Sequence, residues 1–132
     1  MIKIYRHAHE LGVTIRHINP GLGKVATYLH RHRAILIRPG LPLAVQRSVV
    51  AHELGHAAHN DQVTVGRRFT VEQECAADEW AAELLIEREV AMRSFGVRGC
   101  DIPAVAADLE VTERLLRVWV DRNVPARLLT AQ

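Results

Sequence analysis

The chain changes its hydrophobic periodicity near residue 40, and that switch restricts its fold more than any other feature. Up to Leu11 the pattern reads as a short helix that Gly12 can terminate. From Val13 to Ile18, apolar and polar residues alternate as in a half-buried strand, and Asn19-Pro20-Gly21-Leu22-Gly23 is a turn. Lys24 to Gly40 reads as two further strands, the second running from Arg33 to Arg38 with β-branched Ile35 and Ile37. Beyond Pro39-Gly40 the period becomes helical. A helix can start near Pro42, where a missing N–H costs nothing, and Val45, Val49, the His52/Leu54 neighbourhood and Ala57 carry it to His59. Asn60 to Arg68 reads as a loop. Thr70 and Gln73 form a capping box that opens a second long helix, predicted from Val71 to about Arg93 with Leu84, Leu85 and Ile86 on its core face. Ser94 to Asp101 is expected to break it. Asp101, with Pro103 behind it, and Thr112 cap two more helices. One helix, about three strands and then helices make an α+β fold.

At 132 residues the chain is one domain by length. Its net charge of +2 creates no strong field for nucleic acid or membranes. No run of 18 apolar residues is present, and the first residues lack the apolar core of a signal peptide. Cys75 and Cys100 form no C-x-x-C pair, so a cytoplasmic home without a disulfide framework is the expectation. Histidine is the outlier, with eight copies.

Two of those histidines lie in a repeated pentapeptide, Ala8-His9-Glu10-Leu11-Gly12 and Ala51-His52-Glu53-Leu54-Gly55. The flanks differ, so the repeat is coincidence. The second copy continues into His56, whereas the first has Val13 at the equivalent position. Residues four apart on a helix share a face, with Cβ atoms roughly 5–6 Å apart, so His52 and His56 can grip one metal ion. H-E-x-x-H alone arises by chance often enough to establish little; its place inside a predicted helix strengthens it. A catalytic zinc takes three protein ligands and keeps one position open. The next helix offers Glu74 as the third ligand, and Asp78, one turn later, can orient a histidine through its free ring nitrogen.

The segments "VVAHELGHAAHND" and "EQECAADEWAAELLI" resemble the ImmA/IrrE family of small zincin metallopeptidases, in which H-E-[LI]-G-H is followed by E-x-x-A-[DN]-x-[FW]-A-x-x-L-L. The matching positions of the second motif are Glu74, Ala77, Asp78, Trp80, Ala81, Leu84 and Leu85. The resemblance covers roughly Val13 to Glu87 in layout and is specific over 49–61 and 74–86. Family members often continue into Met-Pro, whereas Ile86-Glu87 follows here, a departure at the helix exit. The resemblance implies a small zincin-like domain: an N-terminal helix, a short sheet, an active-site helix, a Glu-bearing helix and C-terminal helices. The zincin core would span about 1–95, with a helical, helix-turn-helix-like tail over about 101–132. It implies that His52, His56 and Glu74 bind Zn2+ and that Glu53 is the general base. It also implies a regulatory endopeptidase whose partner is a helix-turn-helix transcriptional repressor of phage, mobile-element or stress control. Physically, Glu53 turns about a quarter turn off the ligand face and can reach a water without ligating. Gly55 leaves space for close packing at a helix-propensity cost of roughly 0.5–1 kcal/mol.

Other features carry weaker expectations. His59 lies seven residues from His52 and reads as a polar residue at the helix end rather than a ligand. His30 and His32 point to one side of the expected strand, making Arg31 to Ile37 a candidate edge that pairs with substrate, or else a charged edge guarded against aggregation. Cys75 reads as a small buried thiol. The tail, with Arg114, Arg117 and Arg122, resembles a helix-turn-helix, although Glu113, Asp121 and the small net charge argue against DNA binding. Two rivals to the protease therefore stand: a zinc-stabilised module that binds a partner without cutting it, and a DNA-binding regulator.

Overall fold

A computed structural model describes residues 1–21, 23–63 and 68–125. Helix α1 (Ile2–Glu10) leads into β1 (Thr14–Arg16), β2 (Ala26–Leu29) and β3 (Ala34–Ile37), followed by α2 (Leu43–Ala58) and α3 (Val71–Leu85). Helices α4 (Arg88–Arg98), α5 (Ile102–Leu109) and α6 (Glu113–Asn123) complete the described chain. The α+β expectation holds. The remainder of the expected tail past residue 125, and residues 64–67 of the Asn60–Arg68 loop, lie outside the described residues.

The sheet order is β1-β3-β2, with β1 parallel and β2 antiparallel to β3. This corrects the expectation for Arg31 to Ile37. His30–His32 forms a single 3-10 turn, and β3 is the central strand, paired on both sides, so it cannot accept a further one. Its residues are the most apolar of the three strands, and Ile35 and Ile37 are fully buried. β2 is the edge strand beside α2. Arg33, in the left-handed region at φ 45°, turns the chain between the 3-10 turn and β3. Its guanidinium donates to the Leu11 carbonyl at 2.6 Å, the Tyr28 hydroxyl at 2.7 Å and, at 3.4 Å, the Ala57 carbonyl. A cation thus sits at the C-terminal ends of both α1 and α2, where the helix dipoles favour it.

The helix expected over Val71 to about Arg93 is two helices. α3 ends at Leu85 because Ile86 adopts an extended backbone (φ −112°, ψ 109°), which buries its side chain and redirects α4. α4 then runs through Ser94 to Arg98, where a break was expected, and stops at Gly99 (φ 68°). The caps of α5 and α6 form as predicted: Asp101 accepts from the Ala104 amide and Thr112 from the Leu115 amide. α6 packs on α3 through Leu115, Leu116, Trp119 and Val120, all buried. Burying a side chain such as Leu116 contributes roughly 1.5–3 kcal/mol, so α6 belongs to the same core as the sheet and α2. Cys75, expected to be buried, is exposed on α3.

Candidate metal centre

The site begins with the approach of α2 to α3. A Cβ built on Gly55 would lie 2.8 Å from the Ala77 carbonyl oxygen and 2.9 Å from its Cα. Only glycine permits that approach, and the alanines facing it, Ala77 and Ala81, are buried. The capping box then fixes where α3 starts. Thr70 Oγ1 accepts from the Gln73 amide at 3.1 Å, while Gln73 Oε1 accepts from the Thr70 amide at 2.9 Å. With start and spacing set, Glu74 and Asp78 face α2.

The structure brings His52, His56, Glu74 and Asp78 together. His52 Nε2 lies 3.3 Å from Glu74 Oε1, and His56 Nε2 lies 2.6 Å from the same oxygen. One ligand atom from each of these three residues falls within 4.8 Å of the others. The far side of each imidazole meets a carboxylate: His52 Nδ1 to Asp78 Oδ1 at 2.7 Å, and His56 Nδ1 to Asp61 Oδ2 at 2.9 Å. A carboxylate accepts, so each Nδ1–H can donate to its aspartate and leave Nε2 to face a cation. Without a cation, each Nε2 is itself within hydrogen-bond distance of Glu74 Oε1. Two imidazole nitrogens and a carboxylate oxygen therefore converge, an arrangement that suits a cation. Two imidazole nitrogens plus one carboxylate oxygen is also a ligand set that catalytic zinc accepts, and the hydrogen-bonded far nitrogens are its usual support. The donor set fits a metal ion. His59 caps the end of α2, exposed and outside this cluster.

Asp61 was missed in the sequence. It is delivered by the turn that closes α2: the Asp61 amide donates to the His56 carbonyl at 2.9 Å and the Asn60 amide to the Ala57 carbonyl at 3.1 Å, with Asn60 at φ 53°. This is a Schellman closure with asparagine in the left-handed position, and it folds Asp61 back to the Nδ1 edge of His56. The available signal was Asn60-Asp61 just past the helix. Phe69 was missed too; its ring stacks on His56 at 3.7 Å between centroids and 12° between planes.

Arg114 has a different place from the one its sequence context suggests. Its guanidinium grips Asp78 in a fork, Nη1 to Oδ1 at 3.0 Å and Nη2 to Oδ2 at 2.6 Å. Arg122 likewise turns to α3, at 2.5 Å from Glu79 and 3.7 Å from Glu83. Of the three tail arginines, Arg117 alone makes no ion pair among the described residues.

The electrostatics follow from burial and these contacts. Burial pushes the Glu53 carboxyl above its ordinary range; the neighbouring histidines and the Tyr28 amide oppose that, and Glu74 adds to it. Burial would lower His52, but the Asp78 hydrogen bond and the Glu53, Asp78 and Glu74 charges leave it raised. Burial would raise Asp78, yet hydrogen bonds from His52 and Arg114 hold it below the usual carboxylate range. Glu53, His52 and Glu74 open on a cleft of about 740 Å³. Lys24 and Val25 with the edge-strand residues 26–28 form one wall, and Thr112, Arg114 and Leu115 contribute to another.

Among known proteins, the sequence profile of the IrrE N-terminal-like domain, a peptidase family designated M78, matches residues 7–118. No curated protein and no solved structure matches the chain significantly. No helix among the described residues is long and apolar enough to cross a membrane. The profile spans β1 to β3, both helices of the histidine–glutamate cluster and most of α6, so the chain belongs to the IrrE N-terminal-like family of metallopeptidases.

Proposed function

We propose that the chain is a zinc-dependent endopeptidase in which His52, His56 and Glu74 hold the metal and Glu53 is the general base. The observation that carries this reading is the convergence of His52 Nε2, His56 Nε2 and Glu74 Oε1, with both histidines fixed from behind by carboxylates. Zinc held there would supply Lewis acidity, lowering the pKa of a water to about 7 and polarising a scissile carbonyl. Glu53 opens on the same cleft as His52 and Glu74 without belonging to the ligand cluster, as a base for that water requires. Its carboxylate accepts the water's proton and can pass it to the leaving amine. An extended peptide can pair with the free edge of β2, which now takes the role expected of Arg31 to Ile37.

The substrate class rests on the resemblance alone: a helix-turn-helix transcriptional repressor, cut as a regulatory step in the cytoplasm. Incubating the protein and zinc with the repressor encoded beside its gene, then mapping new termini by mass spectrometry, tests this. New termini that vanish in Glu53→Gln, with zinc retained, are expected. Unchanged cleavage by that variant sinks the general-base assignment. Partner binding by wild type without any cleavage favours the non-catalytic module instead.

A further inference from the structure

The two histidines are held from behind in different ways. His56 takes its carboxylate from Asp61, five residues away, through the turn that ends its own helix. His52 takes its carboxylate from Asp78 on another helix, and Asp78 is in turn gripped by Arg114 from a third. The carboxylate torsion of an aspartate is broad and sets no plane by itself. The guanidinium fork does set one, since two parallel N–H donors must meet two oxygens. Asp78 Oδ1 then serves both Arg114 Nη1 and His52 Nδ1, so the ring of His52 is aimed by a plane that Arg114 defines.

The Arg114 side chain is 70% exposed, but the backbone that carries it is firmly placed. The corner between α5 and α6 is fastened to α2 by consecutive residues. Arg47 donates to the Leu109 and Glu110 carbonyls at 2.9 and 2.8 Å, and Ser48 Oγ accepts from the Thr112 amide at 3.0 Å. Ser48 is buried one helical turn before His52, so the helix bearing the histidines also anchors the start of α6. Glu110, in the left-handed region at φ 55°, makes the corner, and Arg114 enters two residues after the Thr112 cap.

We propose that Arg114 is a positioning residue of the metal centre, acting through Asp78 to orient His52, so that α6 is part of the site rather than an appendage. This rests on the metal-centre reading above. Loss of a partner behind a metal-binding histidine typically weakens metal affinity 10- to 100-fold. Arg114 acts one step further out, so the expected loss for Arg114→Ala is about 10-fold. Arg114→Lys keeps the charge without the fork and should fall between that variant and wild type. Arg122→Ala is the control: it removes an ion pair from the same α6–α3 contact without touching Asp78 and should bind zinc as wild type does.

Zinc affinity measured by competition with a chromogenic chelator reads these differences, and the visible spectrum of the cobalt-loaded protein reports the ligand geometry. Asp78→Asn should weaken affinity as well, and adding Arg114→Ala to it should cost little more, because both changes act on one chain of contacts. Arg114→Ala with wild-type affinity overturns the proposal, as does equal weakening by Arg122→Ala. A second readout needs no metal: the His52 ring in the chelator-treated protein should carry its proton on Nδ1 in wild type, seen by long-range nitrogen–proton correlation above pH 8, and should become a tautomer mixture in Arg114→Ala. An unchanged tautomer overturns the proposal. A wild-type chain that binds no zinc overturns the metal-centre reading instead, and the tautomer experiment still decides the role of Arg114.

Discussion

The same five residues, Ala-His-Glu-Leu-Gly, end α1 and form the middle of α2. In the first copy Gly12 adopts φ 68°, its amide donates to the His9 carbonyl, and the Val13 amide donates to the Ala8 carbonyl at 2.8 Å. The pentapeptide there is a helix stop. His9 and Glu10 are exposed, and Ala8 is the member that enters the core. In the second copy the helix continues, Gly55 is pressed against the backbone of Ala77, and Ala51 and Leu54 are fully buried. One glycine serves by its backbone freedom and the other by its missing side chain. The pentapeptide determines neither outcome. The next residues decide it: Val13 and a strand in one case, His56 and another turn of helix in the other.

The largest expected contrast is catalytic. Glu53→Gln should lower peptide cleavage by a factor of about 10²–10⁴, the usual contribution of a general base, with zinc content unchanged. His52→Ala should remove zinc retention and cleavage together. The paired change His9→Ala, Glu10→Gln should leave both intact; any loss of cleavage there would mean that the first copy shares in the chemistry.

The glycines sharpen the comparison further. Gly55→Ala forces α2 and α3 apart and should cost at least about 2 kcal/mol, within the range for overpacked cores, visible as a lower urea midpoint and weaker zinc binding. Gly12→Ala should cost about 1–2 kcal/mol through its left-handed backbone, with zinc binding unaffected. Asparagine separates the two mechanisms, because it tolerates the left-handed region: it should recover most of the loss at 12 and none at 55.

Asp61→Asn tests the turn just past the second copy. It should weaken zinc affinity about 10- to 100-fold, measured by chelator competition, with little change in the melting temperature of the metal-free chain. The smallest effect belongs to a pair remote from both copies. Hydrogen bonds from Arg98 and then Ser94 hold Asp108 below the usual carboxylate range. A depressed carboxyl stabilises the fold above its unfolded value of about 3.9, and that contribution fades as pH falls further. Asp108→Asn should therefore have a lower urea midpoint than wild type at pH 7, and the gap should narrow at pH 3. A gap that persists at pH 3 would assign the effect to packing.

The parts legible in the sequence are those set by local spacing. Four-residue steps place His52 with His56 and Glu74 with Asp78, and the caps at Thr70, Asp101 and Thr112 depend on residues three positions away. Strand order is a different matter. β3 looked like an edge because its flanks, His30 to Arg33, are polar, but β1 and β2 both pair with it across the chain. The break at Ile86 escaped notice because no glycine or proline marks it, and burial of the side chain drives it. Asp61 depends on the handedness of a single residue, Asn60, and Arg114 on a contact spanning 36 positions.

Those separations also order the assembly of the site in time. A chain emerging from the ribosome can complete the support of His56 as soon as Asp61 has been made. Glu74 and Asp78 come next with α3, and the guanidinium that steadies Asp78 arrives only with α6. A nascent chain lacking α6 carries all three side chains of the histidine–glutamate cluster but lacks the guanidinium that sets the plane of Asp78 behind His52. The last contact of the cluster thus forms together with the last described helix of the core.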